Sequence, residues 1–150
     1  MNNRKCKIIV DILMTIFVIL SFVRWSGDSG FVFHVIVGSA FALLVTLHLF
    51  LNRKWVVSVT KSIIAKKANK KTKQLYIVDI ILMVIWGIAI VTGFLAIPSF
   101  VNDLESFYVF GRIHAVSSRI GAAIILVHVY QHLGHIRSYI GLKKKSKSGE

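Results

Sequence analysis

Residues 31–51 read FVFHVIVGSAFALLVTLHLFL, and this stretch decides the fold. It carries no Lys, Arg, Asp or Glu over the roughly 20 residues that an α-helix needs to cross the hydrocarbon core of a bilayer. Three further runs, 8–23, 75–97 and 113–133, are also largely apolar. The sequence therefore predicts an all-α membrane protein built as a bundle of four transmembrane helices.

The run 8–23 is the shortest of the four, and a cleaved signal peptide is its competing interpretation because basic residues precede it. Asp11 interrupts the apolar part, and no small-x-small cleavage site follows. We therefore predict a retained span, with Lys7 and Arg24 reaching from its two ends to the lipid headgroups.

The distribution of charge predicts the orientation. The chain is 55% hydrophobic yet has a formal net charge of +13. Its 19 Lys and Arg residues fall mainly in the N-terminus, the segment 52–74 and the tail, whereas the two opposite loops carry only Arg24 and Arg112. The positive-inside rule then predicts a multi-pass protein of the cytoplasmic (cell) membrane with both termini in the cytoplasm. This topology accounts for the basic charge, so nucleic-acid binding is not needed to explain it.

We expect one domain, residues 1–142, with a basic inner loop at 52–74 and a disordered basic tail at 143–150. Segment 55–74 has two interpretations that stay open: a short helix bound to anionic lipid on the inner surface, or a solvated linker. The single cysteine, Cys6, excludes an intrachain disulfide and a Cys-x-x-Cys-His attachment site for a c-type haem.

The chain also contains an internal repeat. Ile9-Val10-Asp11-Ile12 recurs as Ile77-Val78-Asp79-Ile80, each time near the start of an apolar run. This predicts two two-helix units of the same orientation, related by a pseudo-two-fold axis along the membrane normal.

Two pairs of histidines have the same spacing. His34 and His48 lie fourteen residues apart in the second run, as do His114 and His128 in the fourth. Fourteen helical residues rise about 21 Å and return to within about 40° of the same face. Because both helices run from outside to inside, His34 matches His114 in depth and His48 matches His128. Each such pair could ligate one b-type haem iron from both sides, which predicts two bis-histidine haems. For any single histidine, a buried side chain bonding across helices is the alternative.

Four residues near the histidines are further candidates for cofactor binding. Gly38 and Gly121 could let a flat macrocycle lie close to the backbone, or could serve helix packing. Arg112 and Arg119 could pair with haem propionates, and the alternative for Arg119 is snorkelling to the outer headgroups.

Polar residues at the inner end have open roles as well. Asp11 and Asp79 could accept an Nδ1–H bond from an axial imidazole, or simply favour a helix N-terminus. His132 and His135 lie beyond His128 on the same face of the fourth run. We interpret them as interfacial, near the inner haem edge or a proton route.

The stretch from Phe33-His34 to His48-Leu49-Phe50-Leu51-Asn52-Arg53-Lys54-Trp55-Val56, followed by Val59-Thr60-Lys61, resembles the flavinylation-associated cytochromes. These are small four-helix bacterial membrane b-type cytochromes, and the likeness extends over nearly the whole chain, including Thr92-Gly93. The resemblance implies transmembrane electron transfer to extracytosolic proteins carrying covalently bound flavin, with His34, His48, His114 and His128 as haem ligands. Ser118 departs from the pattern, since the second run has glycine at the matching position.

The predicted function is thus a one-electron relay without catalytic residues, in contact with membrane lipid. Quinol is a candidate donor, which leaves a quinol-oxidising cytochrome subunit of a membrane reductase as an alternative. We expect an outer loop at 98–111 whose aromatic residues form a docking or quinol surface. The competing functions are a histidine-lined metal or proton transporter and a non-redox membrane assembly partner.

Overall fold

The computed structural model describes residues 3–23, 27–102 and 104–139, and every regular element in them is a helix. There are four helices: α1 (Asn3–Ser21), α2 (Gly27–Ile64), α3 (Lys70–Asn102) and α4 (Leu104–Tyr139). Arg24, the predicted disordered tail 143–150 and the side chain of His135 lie outside the described part of the chain.

Helices α2, α3 and α4 are long and apolar enough to cross a membrane. The prediction of an all-helical membrane protein is confirmed to that extent. Helix α1 has 19 residues and is not one of the three, because Arg4, Lys5, Lys7 and Asp11 occupy its first half. A fourth span stays a prediction.

Helix α2 continues well past the predicted inner end of its span, so the structure differs from the predicted loop 52–74. Residues 55–64 extend α2, because no proline or glycine interrupts them and their apolar residues keep a helical spacing. The helix ends where Lys66 takes a left-handed conformation with φ of 55°. The N–H groups of Lys67 and Ala68 then bond back to the Ser62 carbonyl.

Helix α3 begins soon after this turn. The Asn69 side chain accepts the Thr72 N–H at 2.8 Å and so caps the new helix. The inner link between α2 and α3 is therefore only residues 65–69. Segment 55–74 is neither a separate surface helix nor a linker: it forms the end of one long helix and the start of the next.

On both sides of Asp103, which lies outside the described residues, the expected outer loop at 98–111 is also helical. Helix α3 runs through Pro98 to Asn102, and α4 begins at Leu104. Proline removes one intrahelical hydrogen bond, and so near a helix end it bends or weakens the helix without ending it. The aromatic residues of this segment therefore lie on helix ends.

The helices pack as two hairpins. Helix α1 packs on α2, α3 packs more extensively on α4, and a smaller α2–α3 contact joins the hairpins. The core between them is formed by Phe41, Trp86 and Ala89, with partly buried residues around it: Met14, Phe17, Val18, Val45, Leu82 and Ile125. Large apolar side chains on the outward faces, such as Leu43 and Leu126, are exposed, as expected for surfaces that contact lipid.

Candidate functional site

We call His34 and His114 the outer pair and His48 and His128 the inner pair, after their predicted depths. The outer pair comes together across the gap between the two hairpins. The ring centroids of His34 and His114 lie 5.8 Å apart, with the rings nearly perpendicular at 84°. Throughout the described residues, no Cα atom of α2 comes within 8 Å of one in α4. The two imidazoles therefore meet between helices whose backbones stay well apart.

The orientation of the His114 ring is fixed by α3. Its Nδ1–H donates to the Ala89 carbonyl at 2.8 Å. A Cβ atom added at Gly93 would lie 2.9 Å from that same Nδ1, so the ring rests directly on the α3 backbone. His34 lies near the backbone of Ser21 at the end of α1. When Nδ1 carries the proton, the His114 Nε2 keeps its lone pair for another ligand.

Each inner histidine is bonded to the aspartate of its own hairpin. Asp11 accepts from His48 Nδ1 at 2.8 Å, and Asp79 accepts from His128 Nδ1 at 2.7 Å. Of the two interpretations of these aspartates, the structure shows the Nδ1–H contact with a histidine. Any effect on an iron stays a prediction. Among the described residues, the rings of His48 and His128 make no contact like that of the outer pair.

His132 lies beside the second of these contacts. Its ring centroid is 4.6 Å from that of His128, and its Nε2 is 3.6 Å from Asp79 Oδ1. Asp79, His128 and His132 offer three ligand atoms within 4.8 Å of one another. Oxygen and imidazole nitrogen at this spacing suit a transition-metal ion such as Zn²⁺.

The first hairpin has Asn52 where the second has His132, in each case four residues after the inner histidine. Asn52 accepts a 2.8 Å hydrogen bond from Lys7 Nζ, and its Nδ2 lies 3.4 Å from His48 Nε2. This difference is the main departure from equivalence between the two inner sites.

The two hairpins otherwise make matching contacts. Ser21 follows Asp11 by ten residues, and Ala89 follows Asp79 by ten. In each hairpin the aspartate hydrogen-bonds to the inner histidine, and the backbone ten residues later lies near the outer one, with a hydrogen bond to Ala89 in the second hairpin. The repeated aspartate motif pointed to half of this pattern, but backbone contacts leave no mark in a sequence, so Ser21 and Ala89 were missed.

Between the two histidine levels the molecule is filled. Phe41 and Trp86 pack edge to face, with centroids 4.7 Å apart. A Cβ atom at Gly121 would lie 3.0 Å from the Trp86 indole, whereas one at Gly38 would meet nothing within 4 Å. The close approach at Gly121 is therefore made by Trp86, which favours the helix-packing alternative there. Gly38 leaves open space one turn after His34.

Arg112 and Arg119 point away from the histidine gap. They lie two residues before and five residues after His114, so each is about 140–160° around the helix from it. Both are exposed, and neither has an acidic partner among the described residues. These positions favour snorkelling to the headgroups.

An aromatic cluster covers the outer end of the site. Phe31 stacks on Phe100 with centroids 4.6 Å apart, and Phe107 packs edge-on against Phe100 at 5.3 Å. Because Phe31 lies one turn before His34, the cluster sits directly above the outer histidine pair. The aromatic residues expected in a loop thus lie on helix ends, where Phe100 and Phe107 pack on Phe31 while Phe100 and Tyr108 stay exposed. A docking or quinol surface there stays a prediction.

A buried hydroxyl lies on α4, on the helix face that carries His114. The Ser118 hydroxyl, one turn after His114, is buried without a hydrogen-bond partner among the described residues. Buried hydroxyls are usually bonded, so this one fits a helix face that is turned towards a polar ligand group.

Comparison with known proteins adds no relative: no family model matches the chain, and no curated sequence or solved structure gives a significant match.

Proposed function

We propose that this protein is a di-haem b-type cytochrome that relays electrons across the cytoplasmic membrane. The approach of His34 and His114 carries the proposal. Two nitrogens that bind one metal from opposite sides, with bonds of about 2 Å, separate their ring centres by roughly 6 Å. The separation of 5.8 Å fits that arrangement. When bound, haem supplies one-electron redox chemistry.

The residues around the outer pair suit an axial role. The hydrogen bond from His114 to Ala89 holds the ring in the tautomer that presents Nε2 to the gap. The Cα atoms of α2 and α4 stay more than 8 Å apart, so the two imidazoles meet through their side chains alone. Gly38 adds space on the α2 side, and Ser118 offers a hydroxyl on the α4 side.

The inner pair, His48 and His128, is proposed as the second site because the two hairpins repeat the same contacts. In each, a carboxylate orients the inner imidazole by Nδ1, which is how histidine ligands of metals are commonly fixed. His132 is then a neighbour of the inner ligand and shares its aspartate.

The membrane frame of the proposal has four spans in two parallel repeats. Packing of α1 along α2 supports a fourth span, because it gives the apolar residues of α1 a helical partner within the bilayer. Basic residues at the N-terminus and in residues 53–73 favour cytoplasmic termini. Arg112 and Arg119 would then reach the outer headgroups.

The proposed acceptor is an extracytosolic protein that carries covalently bound flavin, and quinol is the proposed donor. The resemblance in residues 33–61 supports the acceptor. The chain itself would hold and orient the redox centres and would not act as an enzyme.

The visible spectrum of the purified, haem-replete protein tests the proposal. We expect b-type absorption bands and two haems per chain. His34→Ala and His114→Ala should each remove one haem, and His48→Ala and His128→Ala the other. His132→Asn, which copies Asn52 of the first hairpin, is the matched control and should keep both. A colourless protein, or one haem lost only in the His132 variant, contradicts the assignment.

One observation favours a second candidate function, a transition-metal site or transporter. The ligand atoms of Asp79, His128 and His132 already lie close enough to hold an ion. Against transport, the apolar side chains of Phe41 and Trp86 fill the centre of the described part of the molecule. Zn²⁺ binding by a protein that takes up no haem, abolished by Asp79→Asn, would support this alternative.

A further inference from the structure

The two levels of histidines differ in the chemistry of their hydrogen-bond partners. At the inner level, both imidazoles donate Nδ1–H to a carboxylate, Asp11 or Asp79. At the outer level, His114 donates to the Ala89 carbonyl, and the His34 ring lies near the backbone of Ser21. The inner partners carry a formal negative charge and the outer ones are neutral.

This difference changes the ligands themselves. A hydrogen bond to a charged acceptor is roughly twice as strong as one between neutral groups, and it shifts electron density towards the far nitrogen of the ring. An imidazole bonded to a carboxylate is therefore a more basic ligand. More basic axial ligands stabilise ferric over ferrous iron, which lowers the reduction potential.

We infer that Asp11 and Asp79 give the inner redox centre a lower reduction potential than the outer one. This inference rests on the proposed function. With haem bound at both levels, this difference would favour electron transfer from the inner centre, which would be oxidised from ferrous to ferric, to the outer centre, which would be reduced from ferric to ferrous. No bond is broken, and no other reactant is needed for this internal step.

The two aspartates should not contribute equally. The Asp79 side chain is 20% exposed and the Asp11 side chain 56%. Solvent screens an exposed charge more strongly, so Asp79 should have the larger effect. His132 lies 3.6 Å from the same Asp79 oxygen but leaves the shorter 2.7 Å bond to His128 in place.

Potentiometric titration of the haem absorption in the purified holoprotein tests the inference. We expect two midpoint potentials. Asp79→Asn, which keeps the shape and removes the charge, should raise only the lower one, changing the ferric–ferrous equilibrium by about tenfold, or about 59 mV for one electron. Asp11→Asn should raise the lower potential less. Asp79→Glu, which keeps the negative charge, should leave the lower potential near its wild-type value. Asp28→Asn removes an exposed acid at the outer end of α2 and is the matched control.

Single-haem variants give a second test, which does not depend on how well the aspartate variants bind haem. His34→Ala should retain only the inner haem and His48→Ala only the outer one. The inference requires the haem left in the His34 variant to have the lower potential. The opposite order, or a lower potential unmoved by Asp79→Asn, overturns the inference and leaves the proposed function standing. A wild-type protein without haem overturns both.

Discussion

At the scale of single residues, the sequence predicted the outer pair well and its support poorly. His34 and His114 could be paired from their spacing because helical periodicity fixes which face a residue occupies and at what depth. The position of Gly93 under the His114 ring depends on how α3 packs against α4, which no local pattern encodes. The same holds for the contact of Trp86 with Gly121. The sequence left Gly121 with two roles, cofactor binding or helix packing, and did not indicate Trp86.

Gly93 should therefore be as necessary for the outer site as the histidine itself. In Gly93→Ala, the new methyl group would lie 2.9 Å from His114 Nδ1, so the ring must move and its bond to Ala89 must lengthen. We expect loss of the outer haem with the inner haem retained, measured as haem per chain.

The control for this substitution is Gly87→Ala in the same helix, where a Cβ atom meets nothing within 4 Å. This variant should keep both haems and gain a little helix stability. Equal haem content in the two variants would show that the His114 ring does not depend on Gly93.

At the scale of helices, the spans were predicted and their ends were not. Apolar runs locate the membrane-embedded parts of α2, α3 and α4, but the helices continue through basic and aromatic residues that carry no membrane signal. Residues 53–64 contain no proline or glycine, and Pro98 lies within four residues of the α3 end. Hydropathy reports the solvent around a residue, whereas helix ends depend on backbone hydrogen bonds and caps such as Asn69.

Matching positions in the two hairpins carry a larger and a smaller residue in opposite order. Exchanging the two residues in one hairpin tests whether the hairpins are equivalent. In α3–α4 the large Trp86 faces the small Gly121, and in α1–α2 the smaller Val18 and the larger Phe41 hold the matching positions. Gly121→Phe alone should cost about 1–3 kcal/mol of stability from overpacking.

Adding Trp86→Val to Gly121→Phe should recover part of that loss, because the pair then copies the first hairpin. Thermal unfolding in detergent, compared with each single variant, measures the coupling. Additive losses in the double variant would argue against equivalence of the two hairpins.

At the scale of the whole molecule, charge predicted an orientation that a single native residue can test. Cys6 is the chain's one cysteine and lies in α1, on the predicted cytoplasmic side. A membrane-impermeant thiol reagent should leave it unlabelled in intact cells and label it after the membrane is opened.

The matched control moves the thiol to the other side. Cys6→Ser combined with Ser29→Cys places it in the exposed first turn of α2, where labelling should occur in intact cells. Labelling of Cys6 without opening the membrane would place the N-terminus outside and reverse the predicted topology.

The narrow α2–α3 contact between the hairpins has a thermodynamic consequence. One hairpin supplies His34 and His48 and the other supplies His114 and His128, so the proposed haems would link two halves that are otherwise joined mainly through the contact of α2 with α3. Anything that binds only the assembled form adds its own binding free energy to the cohesion of the molecule, by mass action. The melting temperature of such a protein would rise with cofactor supply, and cells starved of iron would hold a chain whose halves separate more readily.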